Sequence, residues 1–158
     1  MAVNNLRDTI VHFSNKDILI ESSGRFITIY KHQNEKKRRL KLPFSFPRDF
    51  YFNVPLLKRL LRSDAKEIIY DYNSDKLIII RNSTVYLINE SSYNSLGTID
   101  GDAPLFNSHC IHKGIIYFGQ YDQNKLRKSS KIYKIDKSNN LSIAYSFNPG
   151  GIRHVHSI

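Results

Sequence analysis

Three stretches of this chain carry one pattern of apolar and polar positions. Residues 17–42 read DILIESSGRFITIYKHQNEKKRRLKL and residues 76–99 read KLIIIRNSTVYLINESSYNSLGTI. Residues 114–147 open on GIIYFGQY and, after a polar insert, close on SSKIYKIDKSNNLSIAYSF. Each copy is an apolar run, a short polar break, an Ile-Tyr or Val-Tyr pair, a polar turn and a second apolar run. Alternation over four to eight residues, broken by Gly, Asn, Asp and Ser, is the signature of strands joined by turns. Aligned on Tyr30, Tyr86 and Tyr133, the copies are expected to begin their last strand ten residues later, at Leu40, Leu96 and Ile143. A shorter apolar stretch precedes each copy, TIVHF at 9–13, EIIYDY at 67–72 and FNSHCIH at 106–112, and a fourth such stretch, IRHVHSI, stands at 152–158.

Four sequential antiparallel strands per copy make one blade of a radial array, and self-similarity at roughly 40–50 residues is the mark of such repeats. The pattern therefore predicts an all-β fold, a partial β-propeller of three four-stranded antiparallel blades plus the first strand of a fourth. Blade one spans about 8–43, a connection about 44–65, blade two about 66–100, blade three about 106–148, and an orphan strand 152–158. Within the connection, residues 55–62 suit a short amphipathic helix, and the aromatic and proline-rich residues 43–52 are expected to pack over a blade edge. Tyr30, Tyr86 and Tyr133 are expected to pack between blades. Closure takes roughly four to eight blades, so the chain reads as the front part of a larger propeller. Its open end should be covered by further blades or by self-association.

Composition adds less. The formal charge is +10, and the longest basic run, Lys36-Lys37-Arg38-Arg39, falls where the repeat puts a turn and the start of a strand. A solvated hairpin accounts for that run, and charge by itself supports only non-specific attraction to polyanions, so nucleic acid is not the expected partner. No apolar run reaches the 18 or more residues of a membrane helix and no signal-like start is present, which points to a cytoplasmic protein away from membranes. The single cysteine, Cys110, reads as a buried thiol beside Ile111. No P-loop, G-x-S-x-G, H-E-x-x-H or cysteine-based zinc pattern occurs, and no cofactor is expected.

The strand GIIYFGQY at 114–121, the KIYKID hairpin strand at 131–136, AYSF at 144–147 and GIRHVH at 151–156 together resemble bacterial BNR-repeat proteins of the sialidase-like β-propeller superfamily. The resemblance covers about the last 45 residues and implies a propeller that handles carbohydrate. It departs from the family at two places. The Asp-box turn is Ile135-Asp136-Lys137-Ser138-Asn139-Asn140-Leu141, without glycine or tryptophan, and Gln120 stands where the family has Glu. The arginine, Tyr/Glu and Asp set of a sialidase has no counterpart that can be placed on this sequence.

Five of the six histidines, His12, His109, His112, His154 and His156, fall on expected leading strands. In a propeller these strands line the central channel, so Gln120, Tyr121, Arg153 and His154 should meet on one rim, with His109 close by. Arg153 could grip a carboxylate with two parallel hydrogen bonds and His154 could exchange a proton near neutral pH. His154, His156 and His109 are the metal candidates, on the weak ground of a lone H-x-H spacing. The expected function is that of a truncated, sialidase-like propeller, carbohydrate-handling when intact and without catalysis of its own as it stands, with an acidic glycan as its partner. If an intact relative is an enzyme, the class is glycoside hydrolase. The alternatives are a non-catalytic scaffold for protein or glycan partners and a basic nucleic-acid-binding domain.

Overall fold

A computed structural model describes residues 9–31, 36–46, 49–50, 54, 56, 66–89, 92–104, 108–122 and 124–156. They form three four-stranded antiparallel sheets, each with its strands in chain order. The chain divides into two compact units, residues 1–64 and 65–158. The helix expected at 55–62 lies outside the described residues, apart from Leu56.

The first unit holds β1 (Ile10–Ser14), β2 (Ile18–Ser23), β3 (Phe26–Lys31) and β4 (Lys36–Lys41). Alternation sets its inner face. Ile18, Ile20 and Ser22 of β2 are buried, as are Ile27 and Ile29 of β3 and Leu40 of β4. The pairing of β1 with β2 shifts between Val11 and Phe13, a bulge at His12, whose Nε2 lies 2.7 Å from Ser22 Oγ. Gly24 opens the β2–β3 turn at φ 54, a left-handed conformation that glycine adopts without a Cβ clash. The last strand starts at Lys36 instead of Leu40, because all six residues of the polar run pair with β3, from Lys31↔Lys36 to Phe26↔Lys41.

The second unit contains two sheets. One is β5 (Glu67–Asp71), β6 (Lys76–Arg81), β7 (Thr84–Ile88) and β8 (Tyr93–Thr98). The other is β9 (His109–His112), β10 (Ile115–Gly119), β11 (Lys131–Ile135) and β12 (Leu141–Ser146). Ile69, Ile78, Ile80 and Val85 of the former share one core with Ile116, Phe118, Tyr133 and Ile135 of the latter, and Ile99 and Ala103 of the connection complete it. Leu77 to Ile80 are all buried, which explains why β6 reads as a continuous apolar run: both of its faces are covered. The two sheets also carry the same irregularity. The β7–β8 register shifts between Val85 and Tyr86, and the β11–β12 register between Ile132 and Tyr133.

The aligned tyrosines do different work. Tyr133 packs against Phe118, with ring centroids 5.7 Å apart, and its oxygen accepts a hydrogen bond from Asp100 N at 2.8 Å across to the neighbouring sheet's exit. Burial raises its pKa. Tyr30 instead donates to Glu21 Oε1 at 2.8 Å, and Tyr86 meets Tyr93 edge-on, both within their own sheets. Of the three tyrosines, Tyr133 is thus the one seen to bond beyond its own sheet among the described residues. Two further expectations change. Residues 152–156 form no strand: the backbone bond from Val155 N to Gln120 O, at 3.2 Å, ties them to the residue that follows β10. Cys110 is half-buried, in the middle of the four-residue edge strand β9. Among the described residues, no helix is long and apolar enough to cross a membrane.

Candidate functional site

Gln120 follows β10 and is the hub of the site. Its backbone N donates to Lys131 O (2.8 Å), and its side-chain Oε1 accepts from Lys131 N (3.1 Å). The side-chain Nε2 donates to Asp122 Oδ2 at 3.2 Å, while the carbonyl receives Val155 N. The residue is buried. An amide suits this position because it must accept on one side and donate on the other, and a carboxylate would face the Asp122 carboxylate.

Two glycines bring the chain close enough. A Cβ on Gly119 would lie 2.4 Å from Val155 Cβ, so only glycine lets Val155 settle against β10. A Cβ on Gly101 would lie 2.9 Å from Tyr121 O, at the bridge where Asp102 pairs with Tyr121. The polar insert is then fastened to the chain after β12. Asn124 Nδ2 donates to Arg153 O (2.9 Å) and Lys128 O (2.8 Å), Ser130 Oγ donates to Arg153 O (3.2 Å), and Gly150 N donates to Arg127 O (2.7 Å).

The side chains this frame presents are Tyr121, Arg153, His154 and His156. Tyr121 meets the His154 ring edge-on with centroids 5.0 Å apart and lies 6.3 Å from His156. The two imidazoles face each other, Nε2 to Nε2, at 2.8 Å, a contact in which one ring donates and the other accepts. Arg153 and His156 are exposed and His154 half-buried. Asp122 Oδ1 and His154 Nδ1 are shut off from solvent and find no hydrogen-bond partner among the described residues. Unsatisfied polar atoms of this kind are few in folded proteins, and two sit on this one rim.

Gln120, Tyr121, His154 and the backbone of Arg153 therefore lie in one neighbourhood. His109 does not join them: its Nδ1 lies 2.7 Å from Glu67 Oε1, and that carboxylate is fully buried between the two sheets. Among the described residues, no group of three or more His, Cys, Asp or Glu could hold a metal ion, so His109, His154 and His156 make no joint site. Asp136 is fixed in the β11–β12 hairpin, where Asn140 N donates to Oδ1 at 2.9 Å and Asn140 Nδ2 to Oδ2 at 3.0 Å. The first of these bonds holds its carboxyl below the usual range. Asn124, Ser130 and Val155 had no signal in the sequence, because loop side chains that bond to distant backbone leave no periodic trace. No protein-family model, curated protein or solved structure matches the chain.

Proposed function

We propose that the chain is a carbohydrate-recognition module of the β-propeller type, with its sheets as blades, and that the rim of Tyr121, Arg153, His154 and His156 binds an acidic glycan. The observation that carries this reading is the ring cluster of Tyr121, His154 and His156, with the exposed Arg153 next to His154 in the chain, on a frame held by Gln120, Asn124 and Ser130. Aromatic edges and imidazole nitrogens suit the mixed apolar and hydroxyl surface of a sugar, and a guanidinium suits its carboxylate. The likeness of residues 114–156 to sialidase-like strands is in line with this, as is the shared core of two consecutive meanders.

The reading is one of binding without turnover. A glycosidase places two carboxyl groups on either side of the scissile bond. Here Asp122 is engaged by Gln120, and Asp136 serves its hairpin. The test is a glycan array followed by titration calorimetry, with a fluorogenic sialoside assay in parallel. Acidic glycans should be retained, and Arg153→Ala and Tyr121→Ala should each weaken them about tenfold or more, as loss of a charge-assisted bond or a ring contact does. Equal binding by both variants would remove this rim, and sialoside turnover would replace recognition by catalysis.

A further inference from the structure

The first unit carries a second surface, unrelated to that rim. Strand alternation splits the basic run between two faces: Lys37, Arg39 and Lys41 share one face and are exposed, while Arg38 and Leu40 turn to the other. The face is therefore not the run of four, and it gains Lys41. Each cation stands opposite a residue of β3, Lys37 opposite Tyr30, Arg39 opposite Thr28 and Lys41 opposite Phe26. The Arg39 guanidinium lies 4.2 Å from the Phe26 ring centroid, Lys41 Nζ 5.9 Å from the same ring and Lys37 Nζ 5.3 Å from that of Tyr30. Arg25, at the turn before β3, does not join this row: its Nε donates to Leu42 O at 2.9 Å and its guanidinium lies 5.5 Å from the Phe44 ring. Glu21, opposite Thr28 on the same face, accepts the Tyr30 hydroxyl and offsets one of the three positive charges.

We propose that this β3–β4 face binds single-stranded nucleic acid. Alternate residues of a strand stand about 6.8 Å apart, so the three side chains leave β4 at a spacing suited to successive phosphates of an extended chain, with the Arg39 and Lys41 heads drawn to Phe26 and the Lys37 head to Tyr30. Rings and a guanidinium plane lie along the same row, and these are what unpaired bases stack on. A sheet face that is basic and aromatic together distinguishes single strands from polyanions that lack bases. β4 is the edge of its sheet, so the row is open along its length.

The test is fluorescence anisotropy with labelled oligo(dT) and oligo(U) of about 20 nucleotides, at salt from about 50 to 200 mM. Controls are a duplex of equal length, a heparin oligosaccharide and phosphatidylserine vesicles. The triple variant Lys37→Gln, Arg39→Gln, Lys41→Gln should lose about tenfold or more in affinity near 100 mM salt and flatten the log–log salt slope by about 2, the value for three single-strand phosphate contacts. A second triple variant, Lys16→Gln, Lys113→Gln, Lys137→Gln, removes the same charge from other exposed positions and should bind much as the parent does. Arg39→Lys keeps the charge, removes the plane, and should weaken oligonucleotides several-fold while leaving heparin unaffected. Equal losses in the two triple variants would overturn the proposal, as would binding to duplex, heparin or vesicles at least as tight as to the single strands. Circular dichroism melts confirm that each variant is folded.

Discussion

The two sheets of the second unit repeat the same meander, yet they spend their central connection differently. Between β6 and β7 the chain turns in two residues, Asn82 and Ser83, both at positive φ as a tight hairpin of this kind requires. Between β10 and β11 the corresponding connection is residues 120–130, pinned to the chain after β12 by Gln120 O, which accepts from Val155 N, and by the Asn124 and Ser130 side chains, which donate to Arg153 O. The strands on either side remain equivalent, down to the matched register shifts beside Tyr86 and Tyr133. The repeat thus supplies the core, and the place where one copy departs from it supplies the side chains with chemistry to offer. Such a division lets a loop change without disturbing the framework.

The largest test of this comparison is on the shared core. Ile80 and Phe118 come from different sheets but one cluster, and neither is accessible to solvent. Ile80→Ala should cost about 2–5 kcal/mol and Phe118→Ala about 3–5 kcal/mol. In urea melts followed at several wavelengths, both should lower the midpoint of the same transition. Two transitions moved independently would mean that the sheets are separate bodies.

A smaller effect is expected at the pin. Gln120→Glu sets a carboxylate where an amide now donates to Asp122, and mutual repulsion with desolvation raises the introduced carboxyl's pKa above its unfolded value. The protonated form is the tolerated one. The variant is therefore closest to the parent at about pH 4 and below, and loses ground as pH rises, by about 1–3 kcal/mol near neutrality. Urea midpoints from acid to neutral pH measure this, and a penalty independent of pH would leave the clasp unexplained. The core, by contrast, should show the same cost at every pH.

The smallest effect belongs to the exposed hairpin. Asp136 has its carboxyl pKa lowered from the ordinary 3.8, chiefly by the Asn140 backbone bond. Its contribution is present above the unfolded value and is lost as pH falls through the folded one. Asp136→Ala should give a slight fall in the unfolding midpoint at neutral pH that vanishes in strong acid. A larger fall than that of Gln120→Glu would reverse the ranking.

The strands themselves were largely legible, since alternation and turn residues mark them directly. Errors arose where local pattern and pairing disagree. Lys36 to Arg39 have no apolar signal, yet β3 offers them a ladder of backbone partners, so β4 starts early. Residues 152–156 alternate like a strand, but the docking of Val155 over Gly119 governs them. The equivalence of Tyr30, Tyr86 and Tyr133 was correct in position and misleading in role, because Glu21, Tyr93 and Asp100 are what those rings or hydroxyls meet. At the rim, Tyr121 and His154 could be foreseen from topology. Their frame could not, because it depends on which loop atoms come within hydrogen-bond reach.

The buried pair of Glu67 and His109 has a consequence for assembly. Apolar faces such as those of Ile78 and Ile116 hold the two sheets together by buried area and packing, an attraction that has no preferred direction of its own. A carboxylate sealed from water adds a directional demand, because a register that moved it off the imidazole would give up a charge-assisted contact of 2.7 Å. Of the ways two alike sheets could lie on each other, the pair favours the one in which β5 and β9 meet at these two residues.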